Sequence, residues 1–189
     1  MEIEILISQI REKLAIRPDV PYPHDWKGSP PLPDMLRDIR AGKKFAPSPI
    51  PPPASPEEIS KAEELIGFEL PPLLKSLYCA IGNGGFGPGY GLLPLFTPPR
   101  RHGRGEGAID LYLLFREGDL VEEGFSWAPM LIPILDWGSA VRSCVDCSNP
   151  DLPIMRDSPK LEGHPICEAE SMQEWLTDWL DGKDLFSKG

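Results

Sequence analysis

"CAIGNGGFGPGYGLLPL", residues 79–95, is the stretch on which the reading of this chain turns. Gly82, Gly84 and Gly87 form a G-x-G-x-x-G, a spacing that cradles a pyrophosphate when it follows a strand and opens a helix. Here the context is reversed. Leu73, Leu74, Leu77, Tyr78 and Ile81 recur at helical spacing, so a helix beginning near Pro71 or Pro72 runs into the glycines. Pro88, Gly89 and Gly91 follow, and no capped helix opens there. Where a dinucleotide site needs an acidic residue ending a second strand, ~20 residues on, the text reads "HGRGEGAID", and there is no G-K-[ST] of a P-loop. The glycines read as a helix end and a turn into a strand, "YGLLPLF".

Upstream, "SPEEISKAEELIG" carries helix-start signals together. Ser55 is an N-cap, Pro56 suits the first turn, Glu58 completes a capping box, and Glu57 and Glu58 face the positive end of the dipole. Ile59, Ala62, Leu65 and Ile66 form the expected buried stripe, and Gly67 the C′ residue. Downstream, "AIDLYLLFREGD" predicts a third helix with Ile109, Tyr112 and Leu113 inward. "MLIPIL" reads as a buried strand, "DWG" as a turn, "AVRSCVDC" as a second strand, "NPD" as a turn and "LPIMRD" as a third strand. "SMQEWLTDWLDG" closes as a helix boxed by Ser171 and Glu174, with Met172, Trp175, Leu176, Trp179 and Leu180 inward. Strands clustered between helices, joined by hairpin turns, give an α+β fold: an antiparallel or mixed sheet flanked by helices.

Residues 1–54 read as an extension and 55–189 as the main domain. Ile3, Leu6, Ile7, Ile10 and Leu14 predict an amphipathic helix over 2–15, and Met35, Leu36 and Ile39 the apolar side of a short helix over 33–41. These pieces either pack back on the domain or serve a partner. Proline is in excess, 24 residues, and the run 49–53 should be an extended polyproline spacer rather than an SH3-type ligand.

The net charge of −10 excludes general nucleic-acid binding, where Lys and Arg neutralise phosphate. An acidic surface serves plain solubility or a basic protein partner, whose encounter it accelerates. No apolar run approaches the ~20 residues of a membrane span. "MEIEILISQI" lacks the basic start of a signal peptide, so a cytosolic protein is expected.

At this point the chain resembles the SUKH superfamily, the Smi-one/Knr-four type domain. The resemblance lies in Gly67-Phe68, Leu70-Pro71, Leu74, Leu77-Tyr78 and the turn Asn83, Gly84, Gly85, Gly87, Pro88, Tyr90, Gly91 into Leu93. It continues in Asp136, Trp137, Gly138 and Asp146, and in the closing S-x-x-E-W-L helix, spanning roughly 55–181. The resemblance implies an α+β domain without a catalytic set or cofactor. Bacterial members are mostly immunity proteins that neutralise a toxin, often a nuclease, and fungal members regulate cell-wall synthesis. An immunity protein is the first expectation and a regulatory scaffold the alternative.

The remaining chemistry-bearing residues each have a plainer role beside the functional one. Cys144-x-x-Cys147 with His164-x-x-Cys167 has the residue types of a zinc site, yet a regular strand points Cys144 and Cys147 to opposite faces. Without an export signal a disulfide framework is not expected of the four cysteines, which include Cys79. His24, His102 and His164 have no evident catalytic partner, and no enzyme is expected. Acidic residues cluster at Glu57, Glu58, Glu63, Glu64 and Glu69, at Glu117, Asp119, Glu122 and Glu123, and from Glu168 to Asp184. Arg100, Arg101 and Arg104 form a basic loop. Tyr90, Trp127 and Trp137 are the aromatic candidates for interface anchors, with buried packing as the plainer role of each. The acidic clusters read as solvated helix faces or, where they converge, as a mimic of phosphate charge against a basic nuclease, and Glu117, Asp119, Glu122 and Glu123 are the acidic candidates for partner contact.

Overall fold

The structure is a computed structural model describing residues 2–17, 32–45, 49–97, 107–117, 127–158 and 165–186. Four helices come first: α1 (Ile3–Ala15), α2 (Leu32–Arg40), α3 (Pro56–Ile66) and α4 (Pro72–Ala80). Helix α5 (Ala108–Glu117) precedes the strands β1 (Leu131–Gly138), β2 (Val141–Asp146), β3 (Ile154–Asp157) and β4 (Ile166–Ala169), and α6 (Met172–Leu180) closes the order. The strands form one antiparallel meander, β1-β2-β3-β4. The α+β class read from sequence is the one found.

Helix α3 starts as its sequence dictates. Ser55 Oγ accepts from Glu58 N (3.2 Å) while Glu58 Oε2 accepts from Ser55 N (2.8 Å). It ends at Gly67, whose φ of 80° needs a residue without a Cβ and whose N–H donates to Glu63 O (2.9 Å). Ile59, Ala62 and Ile66 are buried, but Leu65, expected in that stripe, is exposed. Helix α5 buries Ile109 and Tyr112 together with Ala108, Leu111 and Phe115, and leaves Leu113 half-buried.

Three strand expectations change. "YGLLPLF" is not a strand, although Leu93 N donates to Ile134 O (2.8 Å) at the outer edge of β1. Its other polar groups are taken by loops and helices, and Pro94 has no N–H to continue a ladder. Leu92 N donates to Phe86 O, Leu92 O accepts from Gly85 N, and Leu93 O accepts from Tyr78 Oη. Asp136, Trp137 and Gly138, expected as a turn, belong to β1. The reversal falls at Ser139 (φ 55°) and Ala140 (φ 61°), whose paired positive φ angles match the twist of a tight hairpin. Strand β4 was not anticipated at all.

Helix α1 is packed against α4 and α6, with Leu6, Ile7 and Ile10 in the core. Helix α2 carries an exposed Leu36 and local pairs, Asp34–Arg37 (2.9 Å) and Asp38–Lys43 (2.6 Å). Among the described residues no helix is long and apolar enough to cross a membrane.

Candidate functional site

The glycine loop is organised by Asn83. Its main-chain N–H donates to Pro52 O (2.9 Å), its Nδ2 donates to Glu58 Oε1 (3.2 Å), and its Oδ1 accepts from Leu95 N (2.8 Å). One residue thereby joins the polyproline run, the capping carboxylate of α3 and the segment along β1. The chain folds tightly on itself around this point. A Cβ on Gly84 (φ 84°) would stand 2.7 Å from Pro94 N, and one on Gly91 (φ 86°) 2.7 Å from Gly85 C. Gly84 N donates to Gly82 O and Gly85 N to Leu92 O. N–H groups that would cradle a phosphate are therefore spent on protein carbonyls, and the run is architecture. Leu70 and Pro71 act similarly: Leu70 N donates to Glu63 Oε1 (2.9 Å), and Pro71 stands at the N-cap of α4. Gly87 turns the chain with φ 112°, and Pro88 beside it is buried.

The outer end of the loop rests on Trp137. A Cβ on Gly89 would lie 2.7 Å from Cζ3 of that indole. The next residue, Tyr90, is 67% exposed. On Trp137 also packs Phe186, with ring centroids 5.5 Å apart, and Phe186 is 51% exposed. Trp137 and Phe186 thus form an aromatic pair under the tip of the loop that carries the exposed Tyr90.

Beneath it runs a polar chain. Trp137 Nε1 donates to Ser143 Oγ (2.8 Å), and Ser143 Oγ donates to Glu168 Oε2 (2.7 Å). Glu168 Oε1 accepts from Trp175 Nε1 (2.9 Å) and pairs with Arg156 Nη2 (3.2 Å), the two side chains being 2% and 7% exposed. Arg156 passes on to two main-chain carbonyls, Leu185 O (2.6 Å) and Phe186 O (2.7 Å). Ser143 and Arg156 are register partners on one face of the sheet. This chain is not evident from the sequence motifs, though one signal of it is present: period-2 alternation puts Arg156 on the same face as Ile154.

Of the candidate interface residues, the described ones lie on different sides of the sheet. Trp127 takes the plainer of its two roles: it is 4% exposed, with its ring 4.6 Å from Phe115 and its Nε1 donating to Leu131 O. Arg142, adjacent to Ser143 and so on the opposite face of β2, stacks over Phe115 (5.0 Å). Trp127 and the exposed Glu117 therefore belong to the α5 side of the sheet, and Trp137 to the α6 side. Asp119, Glu122, Glu123, Arg100, Arg101, Arg104, Trp26, His24, His102 and His164 lie outside the described residues. The acidic clusters are partly structural. Glu58 caps α3, Glu63 pairs with Lys75 (2.6 Å), Asp178 pairs with Lys183, and Glu168 is buried.

The thiols are dispersed. Cys144 pairs with Met155 and Met155 with Cys167, which sets the two cysteines two strand spacings apart, about 10 Å. Burial raises the Cys144 thiol well above its ordinary range and pushes Cys147 up to about 12. Among the described residues no three His, Cys, Asp or Glu side chains are placed to hold a metal ion.

No curated protein matches the chain. The profile of the SMI1 / KNR4 family (SUKH-1) matches residues 53–178, which takes in α3, the glycine loop, the whole sheet and most of α6. That match spans well over half of the chain, and the chain belongs to the SMI1 / KNR4 family (SUKH-1).

Proposed function

We propose that this protein is a non-catalytic binding domain, an immunity protein that neutralises a toxin domain, with a nuclease as one candidate toxin. Family membership is the observation that carries this reading. The charge supports it: a chain of net charge −10 attracts a basic protein and accelerates the encounter. The mechanism is steric cover of the toxin's active site, with the exposed Tyr90 as an anchor. The test is native capture of partners from the host, followed by expression of each captured domain with and without this chain. A near-stoichiometric partner that arrests growth alone and is silenced by co-expression supports the reading. A set of partners that are harmless on their own, or whose toxicity this chain does not relieve, overturns it.

A second reading, a regulatory scaffold similar to the fungal branch, is favoured by α2, whose exposed Leu36 is flanked by Arg37 and Arg40. Substituting Leu36→Asp and Arg40→Glu would strip partners from a scaffold and leave toxin capture unchanged.

A further inference from the structure

The sheet has two edges, and the described residues treat them differently. At the β1 edge, Leu93 N donates to Ile134 O (2.8 Å). Strand β4 ends the meander on the other side and is laddered to β3 alone. In an antiparallel strand alternate residues turn their N–H and C=O away from the neighbour. Apart from the Cys167 thiol, which donates within the strand to Ala169 O (3.4 Å), no described residue outside β3 hydrogen-bonds to the main chain of β4. Such an edge is a template for one more strand. Strand β4 carries neither the proline nor the lysine that commonly blunts an edge. Its irregularity falls at Glu168 and leaves Ile166 and Cys167, both exposed, in regular register with Arg156 and Met155.

Charge selects which strand fits. Glu170 and Glu174 stand beside the edge, both exposed and neither in an ion pair among the described residues. Glu170 Oε1 lies 4.0 Å from Cys167 Sγ. Burial raises the Cys167 thiol, and the carboxylates of Glu170, Glu174 and Glu168 raise it further, so their field reaches the strand. Glu168 is paired with Arg156, and the nearby Lys183 with Asp178, which leaves Glu170 and Glu174 uncompensated. A second copy of this chain would bring the same carboxylates and a net charge of −10 to the edge, and is repelled. We propose that the outer edge of β4 receives an extended segment of a basic partner protein as a fifth strand of the sheet. Lys or Arg side chains of that segment meet Glu170 and Glu174, an apolar side chain covers Ile166, which is 40% exposed, and main-chain bonds supply the rest of the hold. The proposal goes beyond the toxin reading and does not depend on it: a harmless basic protein seated here would sustain the one and overturn the other.

The experiment is an NMR amide-shift titration of the full, isotope-labelled chain. The probe is the end-capped peptide Lys-Thr-Val-Lys-Val-Thr-Lys, and its counterpart carries Glu in place of each Lys. Saturable shifts at Ile166, Cys167 and Ala169 are expected, with binding at least about ten-fold weaker for the Glu peptide. A Lys peptide N-methylated at every residue keeps the charge but has no N–H to donate, and should not bind. The variant with Glu170→Lys and Glu174→Lys should prefer the Glu peptide. Absence of saturable shifts in β4, equal affinity for the two peptides, or undiminished binding of the methylated one overturns the proposal. So does an unchanged preference in the variant. Should that variant fail to fold, the three titrations of the wild type decide alone.

Discussion

Replacing Asn83 by Ala removes the side chain that joins three parts of the fold. Two hydrogen bonds go, to Glu58 Oε1 (3.2 Å) and from Leu95 N (2.8 Å). Each contributes about 1 kcal/mol net, and the Leu95 N–H, left without its acceptor, adds part of a penalty of about 1–3 kcal/mol. Asn83→Ala should therefore cost about 2–4 kcal/mol, read by urea unfolding at pH 7. At about 2–4 °C per kcal/mol for a chain of this size, the melting temperature falls by roughly 5–15 °C. Asn83→Asp sharpens the test. It keeps an acceptor for Leu95 N but sets a carboxylate against Glu58 where the amide donates. Two carboxylates that close share a proton, so the pair's apparent pKa rises. The variant is then penalised at pH 7, and the penalty shrinks as pH falls through that raised value and a proton restores the donor. A cost under about 0.5 kcal/mol for Asn83→Ala, or a gap for Asn83→Asp that is the same at neutral and acidic pH, would refute the reasoning.

Gly89→Ala places a Cβ 2.7 Å from the Trp137 ring at a φ of 54°, whereas Gly138→Ala, at φ 89°, meets nothing within 4 Å. Both carry backbone strain of about 1–2 kcal/mol, so denaturation should show Gly89→Ala as the costlier, with an altered near-UV indole signal; equal costs would deny the contact. Ellman's reagent on the native protein at pH 8 should modify Cys79 and Cys167, which are exposed, react more slowly with the half-buried Cys147, and reach Cys144 only on unfolding; rapid reaction of all four thiols in the native state would contradict the burial of Cys144. The Glu63 carboxyl is held below its ordinary range by its hydrogen bond from Lys75, against the opposing effect of burial. Its contribution is present above the unfolded glutamate range of about 4.3 and is lost as pH falls through the lowered folded value. The wild type should therefore lose its margin over Glu63→Gln between about pH 5 and pH 3, and a margin independent of pH would sink that assignment.

Local rules carried far into this fold where sequence neighbours decide the outcome. Ser55, Glu58 and Gly67 specify both ends of α3 within thirteen residues of each other, and the structure matches that reading. The glycine run was legible as architecture because its context was a helix end. What failed was non-local. "YGLLPLF" is a short apolar run after a turn and so reads as a strand, but whether it pairs depends on where its N–H and C=O groups find partners. Asn83 and Phe86, brought close by the loop, and Tyr78 reach them first. Trp127 and Tyr90 are both aromatic residues in loop-like text. Only the packing of Phe115 against the first and the turn geometry at Gly89 separate the buried ring from the exposed one. The Arg156–Glu168 pair joins residues of adjacent strands: alternation in β3 puts Arg156 on the buried face, but nothing in the text of β4 names Glu168 as its partner.

The N-terminal helix poses the same problem in its purest form. An apolar stripe at Leu6, Ile7 and Ile10 looks identical whether a helix packs on its own domain or on a partner. The structure decides it through charge as well as burial. Neither α4 nor α6 has a basic residue in its last turn, so neither helix supplies a cation for the negative end of its own dipole. Helix α1 supplies both: Arg11 Nη2 donates to Ala80 O (2.7 Å) at the end of α4, and Lys13 Nζ to Leu180 O (3.0 Å) at the end of α6. Lys13 also lies over the Trp179 ring at 5.4 Å. The family match begins only at residue 53, yet two helices inside or overlapping it have their C-termini capped from outside it. Helix α1 therefore works as part of the packed core, and removing it would uncover apolar surface and unpair two helix ends at once.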